Sequence, residues 1–146
     1  MDSWKTDIQL IDVYAYPGAV EILYNLLAER EPHQNISHKQ MPTPEQHAAF
    51  VEKRPYQAWY LIAIGSDADA ASRIVGATYL TDRREVGIFI FRADRKNGYG
   101  EKALKALREK HLGPLFANIA PSNAASMAFF KKQGFLPIQL TFKLDA

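Results

Sequence analysis

The apolar residues of this chain fall into short runs rich in β-branched and aromatic side chains, which alternate with longer segments whose apolar residues recur at helical spacing. The short runs predict buried strands, because strands favour those residue types and are bounded by turn residues. They cover residues 8–14, 57–64, 73–81, 85–91, 115–119 and 138–144. A tight turn at residues 82–83 predicts that the second, third and fourth strands form an antiparallel meander.

The longer segments predict helices over residues 19–30, 44–53, 99–111 and 122–133. Thr43 precedes the second helix, with Pro44 in the first turn and Gln46 three residues after the cap, which is typical of a capped helix start. Residues 31–44 are polar and contain several prolines, so we expect a loop or a broken helix there. The order β-α-α-β-β-β-α-β-α-β predicts an α/β fold with a mixed sheet, in one domain over residues 1–146.

Composition narrows the class of protein. The chain has 146 residues, of which 47% are hydrophobic and 23% charged, as in ordinary globular domains. It has no cysteine, which excludes disulfides, thiolate metal ligands and a cysteine nucleophile. The histidines lack metal-ligand spacing, so no metal is expected, and a formal net charge of +2 does not favour nucleic acid. Without an apolar signal core or a membrane-length apolar run, we expect a cytoplasmic protein with no membrane contact.

A glycine-rich loop carries the first chemical signal. Residues 95–100 read Arg-Lys-Asn-Gly-Tyr-Gly, follow an apolar run and open a helix. Gly98 and Gly100 allow a tight turn and a close approach to the main chain, so the amides at the helix start favour a phosphate or pyrophosphate. Arg95 and Lys96 add positive charge. Taken alone, the same residues could also be a plain turn with a solvated basic face.

A second motif lies in the predicted helix over residues 122–133 and just after it. Together the two segments resemble the GNAT superfamily of N-acetyltransferases. The acetyl-CoA motif of that family, (Arg/Gln)-x-x-Gly-x-(Gly/Ala), is matched by Arg95, Gly98 and Gly100, and its next motif by Asn123, Ser126, Gly134 and Phe135. The resemblance implies a GNAT-like acyl-CoA N-acyltransferase fold, with acetyl-CoA as the acyl donor and direct attack of a primary amine on the thioester.

The resemblance also implies where acetyl-CoA binds. The family threads the pantetheine arm through a gap between two parallel strands, which here are residues 88–91 and 117–119. The residues expected to contact the donor are Ile88, Ile90, Arg95, Lys96, Asn97, Gly98, Tyr99, Gly100, Glu101, Asn118, Asn123, Ser126 and Phe130. Asn123 is equally interpretable as a helix cap, and Ser126 as a small packing residue rather than a nucleophile, because no histidine–acid pair is arranged to activate it.

One position departs from the family pattern. Phe130 stands where the family usually has a tyrosine that protonates the departing thiolate. Tyr79 and Tyr99 are conceivable substitutes, but spacing favours neither. Since a thiol with a pKa of about 8.5 is a fair leaving group at neutral pH, the acid role stays open.

Amide formation also requires a neutral amine, which calls for a base. Glu85, at the start of the predicted fourth strand, is the candidate, because relatives place a glutamate near this position. The alternative is an exposed carboxylate that pairs with Arg83 or Arg84. A backbone N–H of Ile90 or a neighbour is expected to hold the oxyanion.

The acceptor is expected between the first and second strands. The pattern there looks similar to the branch that acetylates nucleotide-linked amino sugars, such as the pseudaminic-acid type. His38, Met41, Tyr60 and Tyr79 are candidates to line a pocket, whereas Phe50 and Trp59 are predicted to be core, and His38 and His47 could be either. The alternatives are a protein or peptide N-acetyltransferase, acting on N-termini or lysines, and a non-catalytic acyl-CoA-binding module. Homodimers are common in the family.

Overall fold

The computed structural model describes residues 7–30, 41–65 and 73–145. A four-stranded antiparallel sheet has the order β1-β2-β3-β4. Its strands are β1 (Ile8–Asp12), β2 (Ala58–Ile64), β3 (Arg73–Leu80) and β4 (Val86–Ile90). The predicted meander of the second to fourth strands is therefore confirmed. The first strand ends two residues early, because the Asp12 carboxylate accepts a hydrogen bond from the Tyr14 N–H and starts a 3₁₀ turn.

All the predicted helices form, with slightly shorter bounds. They are α1 (Ala19–Ala28), α2 (Pro44–Glu52), α3 (Tyr99–Lys110) and α4 (Ala124–Lys132). The start of α2 is the predicted one: the Thr43 side chain accepts from the Gln46 N–H, and the Gln46 side chain accepts from the Thr43 N–H. None of the helices in the described part of the chain has the length and apolar character that a membrane span requires.

The sheet separates two groups of helices. Alternate residues of β2 show this arrangement, since Leu61 packs in a cluster with α1 and α2, whereas Ile62 packs in a cluster with α3. A third cluster joins the start of β4 to α3 and α4, with Leu104, Leu107 and Phe130 buried in it. At the β4 edge of the sheet, helices therefore lie on both faces.

Residues 115–119 do not form the predicted strand. They make a single parallel bridge, in which the Phe116 N–H donates to Arg84 O and the Val86 N–H donates to Phe116 O. Beyond that bridge the segment and β4 no longer pair. The strand alternation survives, because Leu115, Ala117 and Ile119 pack against the third cluster.

Residues 138–144 were predicted as a last strand, and that prediction is wrong for the single chain. The segment forms no secondary structure, and its apolar side chains are exposed. A strand requires a neighbouring strand for its backbone hydrogen bonds, and residues 138–144 form no strand pairing within the described residues. Alternation of apolar residues indicates the conformation that a segment prefers but does not supply the neighbour.

Candidate functional site

The loop before α3 presents a series of unsatisfied backbone donors. Among the described residues, no acceptor takes the N–H groups of residues 96–101, and Lys102 is the first to donate back, to Gly98 O at 3.1 Å. Lys96 and Gly98 both have left-handed backbones, with φ of 68° and 77°, which curves the loop. These donors stand at the positive end of α3. The arrangement is suited to an anion such as a diphosphate.

Side-chain contacts hold this loop in its conformation. The Asn97 amide donates to Asp94 O at 3.0 Å and to Arg95 O at 3.2 Å, so it braces the turn. The Arg95 guanidinium reaches Ile90 O at 3.3 Å and ties the loop to the end of β4. Asp94 is buried and pairs with Arg73 at 2.6 Å. The loop geometry is thus held by several short-range bonds before any ligand arrives.

The edge of β4 that faces residues 117–119 is open. The Val86 N–H points across this edge to Phe116 O, and alternation along a strand puts the N–H groups of Ile88 and Ile90 on the same edge. No described residue accepts from either N–H on this edge. The two N–H groups are therefore available to an extended ligand at the edge where the family resemblance implies one, between residues 88–91 and 117–119.

A cavity of about 240 Å³ runs along this edge from the loop. Its lining includes predicted donor contacts, namely Ile88, Ile90, Arg95, Gly100, Asn123, Ser126 and Phe130. The other lining residues were not predicted: Leu26, Glu29, Arg30, Phe89, Ala125 and Phe129.

The end of α1 forms the wall of the cavity that the sequence did not predict. The Arg92 N–H donates to Glu29 Oε1 at 2.7 Å and holds that end against the residues after β4. Arg30 lies over the Phe89 ring, with its guanidinium carbon 4.7 Å from the ring centroid, and burial lowers its pKa. Sequence patterns could not have found this wall, because α1 and β4 are far apart in the chain and only tertiary packing brings them together.

The start of α4 forms the opposite wall. The Asn123 side chain is buried and accepts from the Ser126 N–H at 3.1 Å, so Asn123 caps the helix while it also lines the cavity. The two interpretations of Asn123 are therefore compatible. Phe130 is 8% exposed and packs edge-on against Phe129 and Phe135. It closes the cavity with carbon atoms and carries no proton to donate.

Glu85 lies where β4 and residues 115–119 meet. Its carboxylate accepts from the Thr81 hydroxyl at 3.2 Å and from the Asn118 amide at 2.8 Å. The alternative of a pair with Arg83 or Arg84 is not seen within the described residues. Arg84 instead donates to backbone oxygens that follow α3. Asn118, predicted to contact the donor, is thus engaged with Glu85.

An aromatic cluster lies on the α1 and α2 side of β4. Tyr56 and Tyr79 stack at 4.0 Å with an interplanar angle of 6°, and Tyr79 also stacks on Phe89 at 6.1 Å. Tyr79 fits because its cross-strand partner is Gly87, where a Cβ would come within 2.3 Å of the tyrosine ring. Burial raises the pKa of both hydroxyls, and the positive charge of Arg30 offsets part of that rise in each. Tyr56 was missed, because a lone tyrosine before a strand gives no signal.

Several predicted residues lie elsewhere. The side chain of Tyr99 is 7% exposed and packs in the core beneath α3, so it cannot replace the family's tyrosine, although its backbone belongs to the loop. Tyr60 binds His111 at 2.8 Å and packs in the third cluster, on the other side of the sheet from Tyr79. Met41 is 44% exposed, and His38 lies outside the described residues. In the described ranges no group of histidine and acidic residues could hold a metal ion.

Trp59 and His47 are structural. Trp59 is buried in the cluster with α1 and α2, as predicted, and Phe50 packs against it. His47 is 5% exposed, with Nε2 3.2 Å from Val20 O, and burial lowers its pKa. Packing between α1 and α2 therefore accounts for His47.

Comparison with known proteins adds independent information. Residues 18–136 match the acetyltransferase (GNAT) domain family. No curated protein matches the chain at a significant level. A domain from Methanocaldococcus jannaschii is similar in structure, with a TM-score of 0.69 at 18% identity over 92% of this chain and 91% of that one.

Two further solved structures share the fold. One is yncA of Salmonella typhimurium, a proposed acetyltransferase solved with its cofactor acetyl-CoA, with a TM-score of 0.60 at 19% identity over 89% of this chain and 79% of that one. The other is the ribosomal-protein-alanine N-acetyltransferase of Brucella melitensis, with a TM-score of 0.59 at 20% identity over 87% and 82%. The family match spans the loop, the open strand edge and α4, so the chain belongs to the GNAT family of acetyltransferases and takes the acetyl group from acetyl-CoA.

Proposed function

We propose that the protein is an N-acetyltransferase that transfers acetyl from acetyl-CoA directly to a primary amine of a small molecule, with a nucleotide-linked amino sugar as the favoured acceptor class. The observation that carries this proposal is the continuous path from the unsatisfied amides of residues 96–101, along the cavity, to the open edge of β4. The path provides for both ends of an acyl-CoA, an anionic diphosphate and an extended amide-bearing arm.

Donor binding rests mostly on the backbone. The amides of residues 96–101, with Gly98 and Gly100 among them, bind the diphosphate, while the side chains of Lys96 and Glu101 stay in solvent. The N–H groups of Ile88 and Ile90 pair with the pantetheine arm. Asn123, Ser126 and Phe130 bound the arm on the α4 side. The acetyl carbonyl then lies where a β4 amide stabilises its oxyanion.

Glu85 is the proposed base. Hydrogen bonds from Thr81 and Asn118 fix its carboxylate at the point where β4 and residues 115–119 separate. From there it accepts a proton from the amine, directly or through a water, as the nitrogen attacks the thioester carbon. The C–N bond forms, the C–S bond breaks, and coenzyme A leaves as a thiolate. Since Phe130 cannot protonate that thiolate, the proton comes from solvent or from Tyr79.

The acceptor side favours a small molecule that carries flat or anionic groups. Tyr56 and Tyr79 stack on each other, so they offer ring edges and hydroxyls rather than free faces, and Arg30 provides a cation over Phe89. Together they suit a sugar ring or a base near a phosphate better than an aliphatic lysine chain. Met41, which precedes α2, is proposed to line the same pocket. His38 stays a prediction, because it lies outside the described residues.

The test measures free thiol released from acetyl-CoA by the purified protein. The acceptor panel contains amino sugars, nucleotide-linked amino sugars, and peptides with a free N-terminal alanine or an internal lysine. We expect release with small amines, with the acetylated product identified by mass spectrometry. Release with peptides alone would favour the protein or peptide alternative. Tight coenzyme A binding without release for any amine would favour a non-catalytic acyl-CoA-binding module, which the phenylalanine at position 130 makes worth testing.

A further inference from the structure

Arg84 lies at the end of the turn between β3 and β4, with a backbone conformation that arginine rarely adopts. Its φ of 67° is in the left-handed region, which favours glycine. The turn is closed by hydrogen bonds from the Arg84 N–H to Thr81 O at 3.0 Å and from the Thr81 N–H to Glu85 O at 2.8 Å. Because a long side chain is unfavourable at such a position, the contacts of that side chain must compensate for it.

The guanidinium of Arg84 holds the turn that follows α3. Its nitrogen atoms donate to three backbone oxygens at 2.9 to 3.0 Å, those of His111, Leu112 and Pro114. Gly113 leaves room for the guanidinium, because an added Cβ there would lie 3.1 Å from Nη2 of Arg84. The helix dipole also favours a cation at the end of α3. The Arg84 side chain therefore fixes the chain between α3 and residues 115–119.

The backbone of Arg84 binds the same part of the chain. Arg84 O accepts from the Phe116 N–H at 2.8 Å, and the Val86 N–H donates to Phe116 O at 2.7 Å. This bridge is isolated, and the two segments separate after it. The side chain and the main chain of one residue thus set together the direction in which residues 117–119 leave β4.

Asn118 lies on the segment that leaves β4, and its contact depends on that direction. The Asn118 amide donates to Glu85 Oε2 at 2.8 Å, and the Thr81 hydroxyl donates to Glu85 Oε1 at 3.2 Å. Thr81 belongs to the same turn as Glu85, so its hydrogen bond is local. Asn118 is 33 residues from Glu85 in the chain, so only the placement of its segment brings it there. A carboxylate bound at both oxygens keeps one orientation.

We propose that Arg84 is a positioning residue, which keeps Asn118 on the Glu85 carboxylate by fixing the turn after α3. Without the guanidinium, residues 115–119 lose the three hydrogen bonds that set their direction. The kinetic consequence rests on the proposed role of Glu85, whereas the structural consequence does not. Donor binding should not change, because the amides of residues 96–101 lie beyond the other end of β4.

NMR tests the structural consequence without any acceptor. The side-chain amide signal of Asn118 is assigned by its loss in Asn118→Ala. We expect Arg84→Met to move this signal toward its position in Glu85→Ala, which lacks the carboxylate that accepts the hydrogen bond. Arg83→Met is the matched control, since Arg83 is an exposed arginine of the same turn, and it should leave the signal in place. An unmoved signal in Arg84→Met would overturn the proposal.

Kinetics with the best amine of the panel tests the catalytic consequence. Arg84→Met should lower kcat about 3- to 10-fold, as expected for one lost hydrogen bond, with an unchanged dissociation constant for coenzyme A. Arg84→Gly should give the same result, because it removes the guanidinium but suits the left-handed backbone, and it replaces Arg84→Met if that variant does not fold. Adding Arg84→Met to Asn118→Ala should lower kcat no further. Additive losses would contradict a role through Asn118.

Glu85→Gln separates this inference from the proposed function. If Glu85→Gln lowers kcat while Arg84→Met and Asn118→Ala do not, the positioning role fails and the proposed base is kept. If kcat is unchanged in Glu85→Gln, the proposed base fails, and the NMR signal of Asn118 alone decides whether Arg84 positions the amide on the carboxylate.

Discussion

The proposed donor site and the proposed acceptor site are built from different kinds of atoms. On the donor side, the loop of residues 96–101 offers backbone amides, and the nearby Asn97 and Arg95 side chains serve to hold it. The proposed acceptor site instead consists of side chains, namely the stacked rings of Tyr56 and Tyr79 and the carboxylate of Glu85. A backbone site tolerates changes of sequence as long as the chain can adopt its turn, whereas a side-chain site changes with each substitution.

The largest effect is expected at the proposed donor site, which is built from backbone amides. Gly98→Glu should weaken coenzyme A binding at least about 100-fold, because a carboxylate at the helix start repels the diphosphate and its bulk blocks the amides. Isothermal titration calorimetry measures the change.

Gly18→Glu is the matched control. Gly18 and Gly98 are both left-handed helix caps, with φ of 83° and 77°, and neither has a heavy atom within 4 Å of an added Cβ. The two variants should lose similar stability, about 1–2 kcal/mol, yet only Gly98→Glu should lose affinity. Equal losses of affinity would mean that backbone strain, and not the loss of an anion site, explains the effect.

Replacing the proposed base, Glu85, tests the site that is built from side chains. Glu85→Gln should lower kcat by about 100- to 1,000-fold, since the amide cannot take a proton from the amine. The dissociation constant for coenzyme A should not change. Steady-state kinetics with the best amine of the panel gives the result, and Glu52→Gln, an exposed carboxylate at the end of α2, serves as the control. An unchanged kcat in Glu85→Gln would remove Glu85 from the mechanism.

A substitution in the proposed acceptor pocket should have a smaller effect on the kinetics. Tyr79→Phe removes one hydroxyl but keeps the stacked ring, so the acceptor KM should rise about 3- to 10-fold, as expected for one lost hydrogen bond. Affinity for coenzyme A should be preserved. A large fall in kcat with unchanged KM would instead indicate that Tyr79 donates the proton to the leaving thiolate.

The smallest effect concerns the packing of α2 against α1 through His47. Burial lowers the pKa of His47, so below the ordinary histidine pKa of about 6.5 the unfolded chain binds more protons than the folded one. Stability should therefore fall as the pH drops through that range. In His47→Gln the fall in the free energy of unfolding between about pH 7.5 and about pH 5.5 should be shallower. An identical pH dependence in the two proteins would show that His47 titrates normally.

The difference between the backbone site and the side-chain site also explains which features the sequence could predict. The loop before α3 was predictable because a second motif follows it at residues 123–135, whereas the glycine-rich loop alone could also be a plain turn. The capping box at Thr43 and the cap at Asn123 were predictable because such hydrogen bonds are local. Glu85 was proposed as the base only through the family resemblance, and no sequence pattern linked it to Thr81 or Asn118.

Other features depended on contacts between distant parts of the chain. Arg30 and Glu29 enter the cavity because α1 packs against β4. Tyr99 and Tyr60 have the chemistry of site residues, but the sheet directs them into or toward the α3 core. The prediction of a strand at residues 138–144 was wrong for the same reason, since alternation identifies a strand but not the edge with which it pairs.

The pairing of Gly87 with Tyr79 has a consequence for the divergence of related proteins. A methyl group at position 87 would overlap the tyrosine ring, so any relative with a side chain there must have a smaller or displaced residue at position 79. The two positions should therefore covary. In directed evolution toward new acceptors, they are best randomised together.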